Sequence, residues 1–260
     1  MIDIIKAEEV FSKFVNRYDV TDEKVLLKIR HTYGVVNSSK MLAEKLKLSE
    51  EDSNLSELIA LLHDIGRFDQ ASQSLKIYDN ADRTLFDHAE QGVRILFDDG
   101  MIRDFIEDDS YDQIIKTAII NHNKIKINDG LSEKELLHSK LIRDNDKIDN
   151  FRVKQEESFK VLLGTDDLDI IENEVVTESI ANTFLNGKLI DTSKTVTCLD
   201  RWLGYIAFIF DLNFKESLEF VKENDIINKM FGRINYKNEE TIKTMNTLKK
   251  FAIEYVNSKV

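Results

Sequence analysis

The sequence predicts an all-α protein, and three observations carry that prediction. First, its 260 residues include 0 Pro and only 9 Gly, where ordinary usage would give about 13 and 18. Sandwiches and barrels need the turn residues this chain lacks. Second, helix-start signals recur: a Ser, Asp or Asn followed three residues later by an acid or amide. Third, apolar residues repeat at spacings of three and four. No convincing strand competes, because the short alternation Ile125-Lys126-Ile127 runs into Asn128-Asp129-Gly130, a loop signal.

Taken in order, an amphipathic N-terminal segment gives a helix near 4–18. Another near 22–47 carries His31 at the head of a face running through Gly34 or Val35, Ser38 and Leu42. Ser49 with Asp52 signals the next start, for a helix near 53–65. Its stripe Leu55, Leu58, Ile59 and Leu62 leads to His63, and Gly66 stands where a C-terminal cap belongs. Asp87 with Glu90 opens 87–98, with Gly92 inside it and Gly100 just beyond. A glycine inside a helix costs about 1 kcal/mol against alanine, so close approach of another element is expected at Gly92. Ser110 with Gln113 opens 111–123, where Ile115, Ala118 and Ile119 lead to His122. Ser132 with Glu135 opens 132–158, and Leu131 and Leu136 form a hydrophobic staple around it. Gly164-Thr165-Asp166-Asp167 then breaks the pattern. Helices near 168–186, 195–212, 214–223 (from Asn213 with Glu216), 226–232 and 239–258 complete the chain. Trp202, Tyr205, Phe208 and Ile209 read as core, and a helix exposed within 195–212 would offer a face to a second copy.

Composition excludes several classes. Lys+Arg is 36 against 48 Asp+Glu, a net charge of −12, which disfavours an extended grip on nucleic acid. One Cys allows no intrachain disulfide and fits a reducing compartment. No basic stretch followed by an apolar one marks a signal peptide. The longest strongly apolar run, Tyr205–Phe210, is too short to span a bilayer. The expectation is a cytoplasmic protein with no membrane partner.

The five histidines are His31, His63, His88, His122 and His138. His63 and Asp64, inside LLHDIGRFDQ, can converge on one metal only where their helix is ending. Imidazole and carboxylate together suit Fe, Mn, Zn, Co or Ni better than Mg or Ca. His88 lies in the first turn of its helix, and His122 ends an apolar stripe. In IRDNDKIDNF, Asp146 lies mid-helix with Arg143 and Asp149 three residues to either side. Asp144 is its rival two residues away. Arg67 follows the His63-Asp64 pair, where its guanidinium could bind an anion bidentately or form an ion pair with Asp69. Lys124 and Arg143 are further candidates. Asp149 could orient a ligand or pair with Arg143.

His31, His63-Asp64, His88, His122 and Asp146, with LLHDIGR, DHAEQG and IRDNDKIDNFR around them, resemble the H…HD…H…H…D signature of HD-domain metal-dependent phosphohydrolases. The resemblance covers about residues 20–155, and His138 falls outside it as a surface or packing residue. It implies a helical bundle holding the metals, over 1–158; the helical pattern of 159–260 reads as an extension packed on it. His31, His63, Asp64 and Asp146 would hold one metal; His88 and His122 would hold a second, with Asp64 bridging. Two divalent ions are implied, Fe or Mn ahead of Zn, Co, Ni or Mg. Asp64 and Arg67 would carry catalysis, and Arg67, Lys124 and Arg143 would bind a small phosphorylated substrate, a nucleotide first of all. Asn123 departs from subgroups with a second histidine after His122, and the glycine-tyrosine-proline motif of the cyclic-di-GMP subgroup is absent. A di-iron oxygenase and a non-catalytic nucleotide-binding module remain alternatives from the same residues.

Overall fold

In the computed structural model, which describes residues 2–72 and 87–260, every regular element is helical and no strand occurs among the described residues. The packing divides the chain into two units, Met1–Asp146 and Lys147–Val260.

The first unit runs through α1 (Ile4–Val15), α2 (Glu23–Leu46), α3 (Glu50–Leu62), α4 (Gly66–Ser72), α5 (His88–Val93), α6 (Ile102–Phe105) and α7 (Asp112–His122), and α8 (Glu133–Glu156) crosses into the second. The predicted stripes form its core: Leu55, Leu58, Ile59 and Leu62 are buried on α3, and Ile115, Ala118 and Ile119 on α7. Phe68 lies edge-on to Phe11 and Phe14, which seats α4 against α1. The predicted capping signals at Ser49, Asp87 and Ser132 are used. The Asp52 amide donates to Ser49, the Ala89 amide to Asp87, and Ser132 and Glu135 exchange bonds reciprocally.

Two expected caps are displaced. Asp108, not Ser110, accepts from the backbone before α7, and a 3-10 turn at Asp109–Tyr111 intervenes. Phe214, not Asn213, precedes Lys215–Glu223. The segment 87–98 changes from α-helix to a π turn at Arg94–Asp98, and Gly100 follows at φ +79°. Gly66 does not cap α3; it opens α4. Its role is close approach, because a Cβ there would lie 2.3 Å from the His88 carbonyl oxygen and 2.6 Å from the Gly92 nitrogen.

The second unit adds α9 (Phe159–Leu163), α10 (Leu168–Asn173), α11 (Glu178–Leu185), α12 (Cys198–Ile206), α13 (Lys215–Glu223), α14 (Ile226–Phe231) and α15 (Glu239–Lys259). The single helix expected over 168–186 is two helices. Long-range bonds hold the break open: Glu174 accepts from the Leu199 amide through its side chain and from the Thr241 hydroxyl through its carbonyl. The Asp200 carboxylate accepts from both the amide and the hydroxyl of Thr177. The helix expected to be exposed within 195–212 is a core element. Leu199, Trp202, Leu203 and Ile206 on α12 are buried, and Trp202 donates to the Met230 carbonyl. Among the described residues, no helix is long and apolar enough to cross a membrane.

Candidate metal centre

Six side chains from four helices and one turn converge inside the first unit. His31 comes from the middle of α2, His63 and Asp64 from the turn after α3, His88 from the first residue of α5, His122 from the last of α7, and Asp146 from α8. They form two groups whose donor atoms lie within 4.8 Å of one another: His31, His63 and Asp146, and Asp64, His88 and His122. Asp146 joins the groups and Asp144 does not. All but the partly exposed Asp146 are buried.

Asp64 ties the groups together. Its Oδ2 is 4.0 Å from His31 Nε2 and 3.9 Å from His63 Nε2. Its Oδ1 is 3.4 Å from His88 Nε2 and 3.6 Å from His122 Nε2. One carboxylate thus turns one oxygen to each group. Asp146 Oδ1 is 3.0 Å from His31 Nε2 and 3.8 Å from His63 Nε2.

The imidazoles are prepared as ligands. His63 Nδ1 donates to the Ala60 carbonyl at 2.8 Å, and His122 Nδ1 to the Ile119 carbonyl at 2.6 Å. A carbonyl can only accept, so each Nδ1 carries the proton and each Nε2 keeps its lone pair. His63 Nε2 is buried with no hydrogen-bond partner, a costly state for a ring nitrogen unless a cation meets it. His122 Nε2 faces His88 Nε2 at 3.0 Å, a pair that needs a proton or a cation between its nitrogens. Burial pushes the His63 pKa down to about 4 and that of His88 well below its ordinary value, with Arg67 adding to the effect. Burial alone would raise Asp64, but His63, Lys28 and Arg67 outweigh it and hold the carboxyl well below its usual range. Neutral imidazole and ionised carboxylate are the forms that bind metal, so the donor set fits divalent ions.

The family model of the HD domain matches residues 29–151. That match, which includes all six side chains, places residues 29–151 with the HD-domain superfamily. HD domains are typically metal-dependent hydrolases that bind divalent ions. No curated protein and no solved structure matches the chain.

Around the HD residues the other predicted side chains take different places. Arg67 is at the site, its Nε 3.6 Å from Asp64 Oδ1. The carboxylate of Asp69 accepts from Tyr18 at 2.7 Å and Gln91 at 2.8 Å. Arg143, expected on the substrate, is 1% exposed, and its guanidinium donates to the carbonyls of Asn121 and Lys124. The reason is that α7 ends at His122 and leaves carbonyls without intrahelical donors, which a buried cation satisfies. Lys124 lends that carbonyl from the loop after α7, and its side chain is partly exposed. Asp149 is bonded by Arg152 through both carboxylate oxygens. His138 is a packing residue, fully buried and 3.2 Å from Asp52, not a surface one.

One residue, Lys28, and one bond, from Asn123, escaped the sequence reading. Lys28 Nζ is 3.6 Å from Asp64 Oδ2; its place three residues before His31 on the same helix face was the available signal. Asn123 donates to Asp87 at 2.8 Å, and nothing local in the sequence announces that bond.

Proposed function

We propose that the protein is a dinuclear metal phosphohydrolase that cleaves a phosphoester or phosphoanhydride of a small metabolite, a nucleotide first of all. The observation that carries this reading is Asp64, with one oxygen turned to each three-residue group. His31, His63 and Asp146 would hold one ion, His88 and His122 the other, and Asp64 would serve both.

Divalent ions supply two things to phosphate hydrolysis: they offset phosphate charge and acidify water from a pKa of about 15.7 towards 7. The rest falls to the chain. Four neutral imidazoles and two carboxylates leave two divalent ions with a local charge of about +2, so an acidic protein presents a positive site to phosphate. Arg67 and Lys28 extend that field from opposite oxygens of Asp64 and bind the substrate phosphate; Lys124 reaches it from the loop after α7. The buried walls keep bulk water from screening these contacts. The Nδ1 bonds to Ala60 and Ile119 fix which face His63 and His122 present.

The test is reconstitution with Mn or Fe and assay against phosphomonoesters, phosphodiesters and nucleotides. Release of phosphate or nucleotide that depends on metal, and is lost in His63→Ala and Asp64→Asn, is expected. Protein carrying two metals yet inert across the panel would overturn the reading. Substrate-dependent oxygen uptake would redirect it to di-iron chemistry, and tight nucleotide binding without turnover to a sensing module.

A further inference from the structure

We infer that Arg143 and Asn123 are positioning residues that clamp His122 to His88, so that the second metal group is held separately from the first. The inference rests on the dinuclear reading. Its ground is how the four residues around the end of α7 are fastened. Arg143 Nη1 donates at 2.6 Å to the Asn121 carbonyl on one side of His122 and at 2.6 Å to the Lys124 carbonyl on the other. The bonds are charge-assisted and the guanidinium is buried, so water cannot take its place. Between those carbonyls, Asn123 donates to Asp87 Oδ1. That same oxygen accepts from the Ala89 amide and caps α5, the helix whose first residue is His88.

Each histidine of the second group therefore sits at a helix end, and the two ends are bonded through one carboxylate. Helix ends fray because their last groups lack intrahelical partners. Two of the three members of the first group are built otherwise: His31 lies in the interior of α2 and Asp146 in the interior of α8, where continuous helix already fixes them, and only His63 stands at a helix end. The clamp supplies at the ends what the helix supplies in the middle.

The test compares Arg143→Lys and Asn123→Ala with wild-type protein by metal titration and by amide hydrogen exchange on metal-free protein. Lysine keeps the charge, but its ammonium ends one bond short of the Nη1 position that makes both bonds. Asn123 is exposed, so its variant folds even where a change at Arg143 does not. Affinity for the second equivalent of metal falls roughly 10- to 100-fold, as for losses of supporting bonds at other metal sites, while the first equivalent binds as before. Exchange rises at 87–93 and 121–125 and nowhere else in the first unit. Equal weakening of both equivalents, or two full-affinity metals in Asn123→Ala, overturns the clamp and leaves the dinuclear reading standing. A wild-type protein that takes up one metal only overturns the dinuclear reading, while locally raised exchange in Asn123→Ala still supports the clamp.

Discussion

Gly66→Ala should damage the site, and Gly92→Ala, on the facing helix, should not. At Gly66 an added Cβ would lie 2.3 Å from the His88 carbonyl oxygen and 2.6 Å from the Gly92 nitrogen. Both are backbone atoms, so no side-chain rotation relieves the clash. A relaxed carbon–oxygen contact is about 3.3 Å, so α4 and α5 must part by about 1 Å. Overpacking of this kind costs about 3 kcal/mol, which lowers Tm by roughly 6–12 °C in a domain of this size. The movement is concentrated on His88, whose Nε2 is 3.4 Å from Asp64 Oδ1. A displacement of about 1 Å at a catalytic group can remove about 100-fold in rate. At Gly92 the added Cβ meets the Ile65 side chain at 3.4 Å and the Gly66 nitrogen at 3.5 Å, close but tolerable contacts. Alanine in a helix is favoured over glycine by about 0.5–1 kcal/mol, so Gly92→Ala should be neutral or slightly stabilising. Thermal unfolding followed by circular dichroism, with metal titration on the same samples, reads both effects. Gly66→Ala melting with wild type and keeping its second metal, or Gly92→Ala proving as harmful, would refute the reasoning.

Three further outcomes are expected. Metal at about 100 times its Kd should stabilise the fold by about 2.7 kcal/mol, and a chelator should remove that increment in a melt; a Tm indifferent to metal and chelator would contradict the site. Bonds from the Ser132 hydroxyl and amide and from Thr117 depress the Glu135 pKa from 4.5 to about 2. A depressed carboxylate stabilises above its unfolded pKa and loses that contribution as pH falls through the folded one. Wild type should therefore lose stability between about pH 4.5 and 2 more steeply than Glu135→Gln, and identical acid limbs in urea titrations would count against the capping bonds. Asp200 is buried and accepts from Thr177, Val196 and Thr197 amides; Asp200→Ala should cost about 3 kcal/mol by stranding those donors, with exchange rising first at α11 and α12.

Much of the site was legible because its signals are local. His63-Asp64 could converge only at a helix end, and α3 does end at Leu62. Asp146 fits the motif where its rival Asp144 does not, and it is Asp146 that meets His31 and His63. The stripes on α3 and α7 needed only helical periodicity. What escaped depends on contacts distant in sequence. Arg143 looked like a substrate ligand because guanidinium favours phosphate, but the carbonyls at the end of α7 claim it. Gly66 looked like a cap because capping is a local rule, whereas its actual constraint is the backbone of α5. The helix expected across 168–186 fails at Glu174 and Thr177 because residues from 197 onward hydrogen-bond there, a competition that propensity within the segment does not register.

Lys28 sharpens the question of what the positive residues are for. It stands 3.6 Å from Asp64 Oδ2, and Arg67 stands 3.6 Å from Oδ1. Two cations on one carboxylate could serve to hold Asp64 in place. That role would be redundant once divalent ions occupy both sides of it, because the ions orient the carboxylate more strongly than a partly exposed ammonium does. The cations then have charge to spare for the substrate. Lys28→Met keeps the length of the stem and removes only the charge. If Lys28 binds phosphate, metal affinity should be unchanged, and loss of a charge-assisted bond worth about 2 kcal/mol should lower kcat/KM by roughly 30-fold. If it only holds Asp64, metal affinity should fall and full kcat/KM should return at saturating metal. That second pattern would remove Lys28 from the substrate site and leave Arg67 and Lys124 as the proposed phosphate contacts.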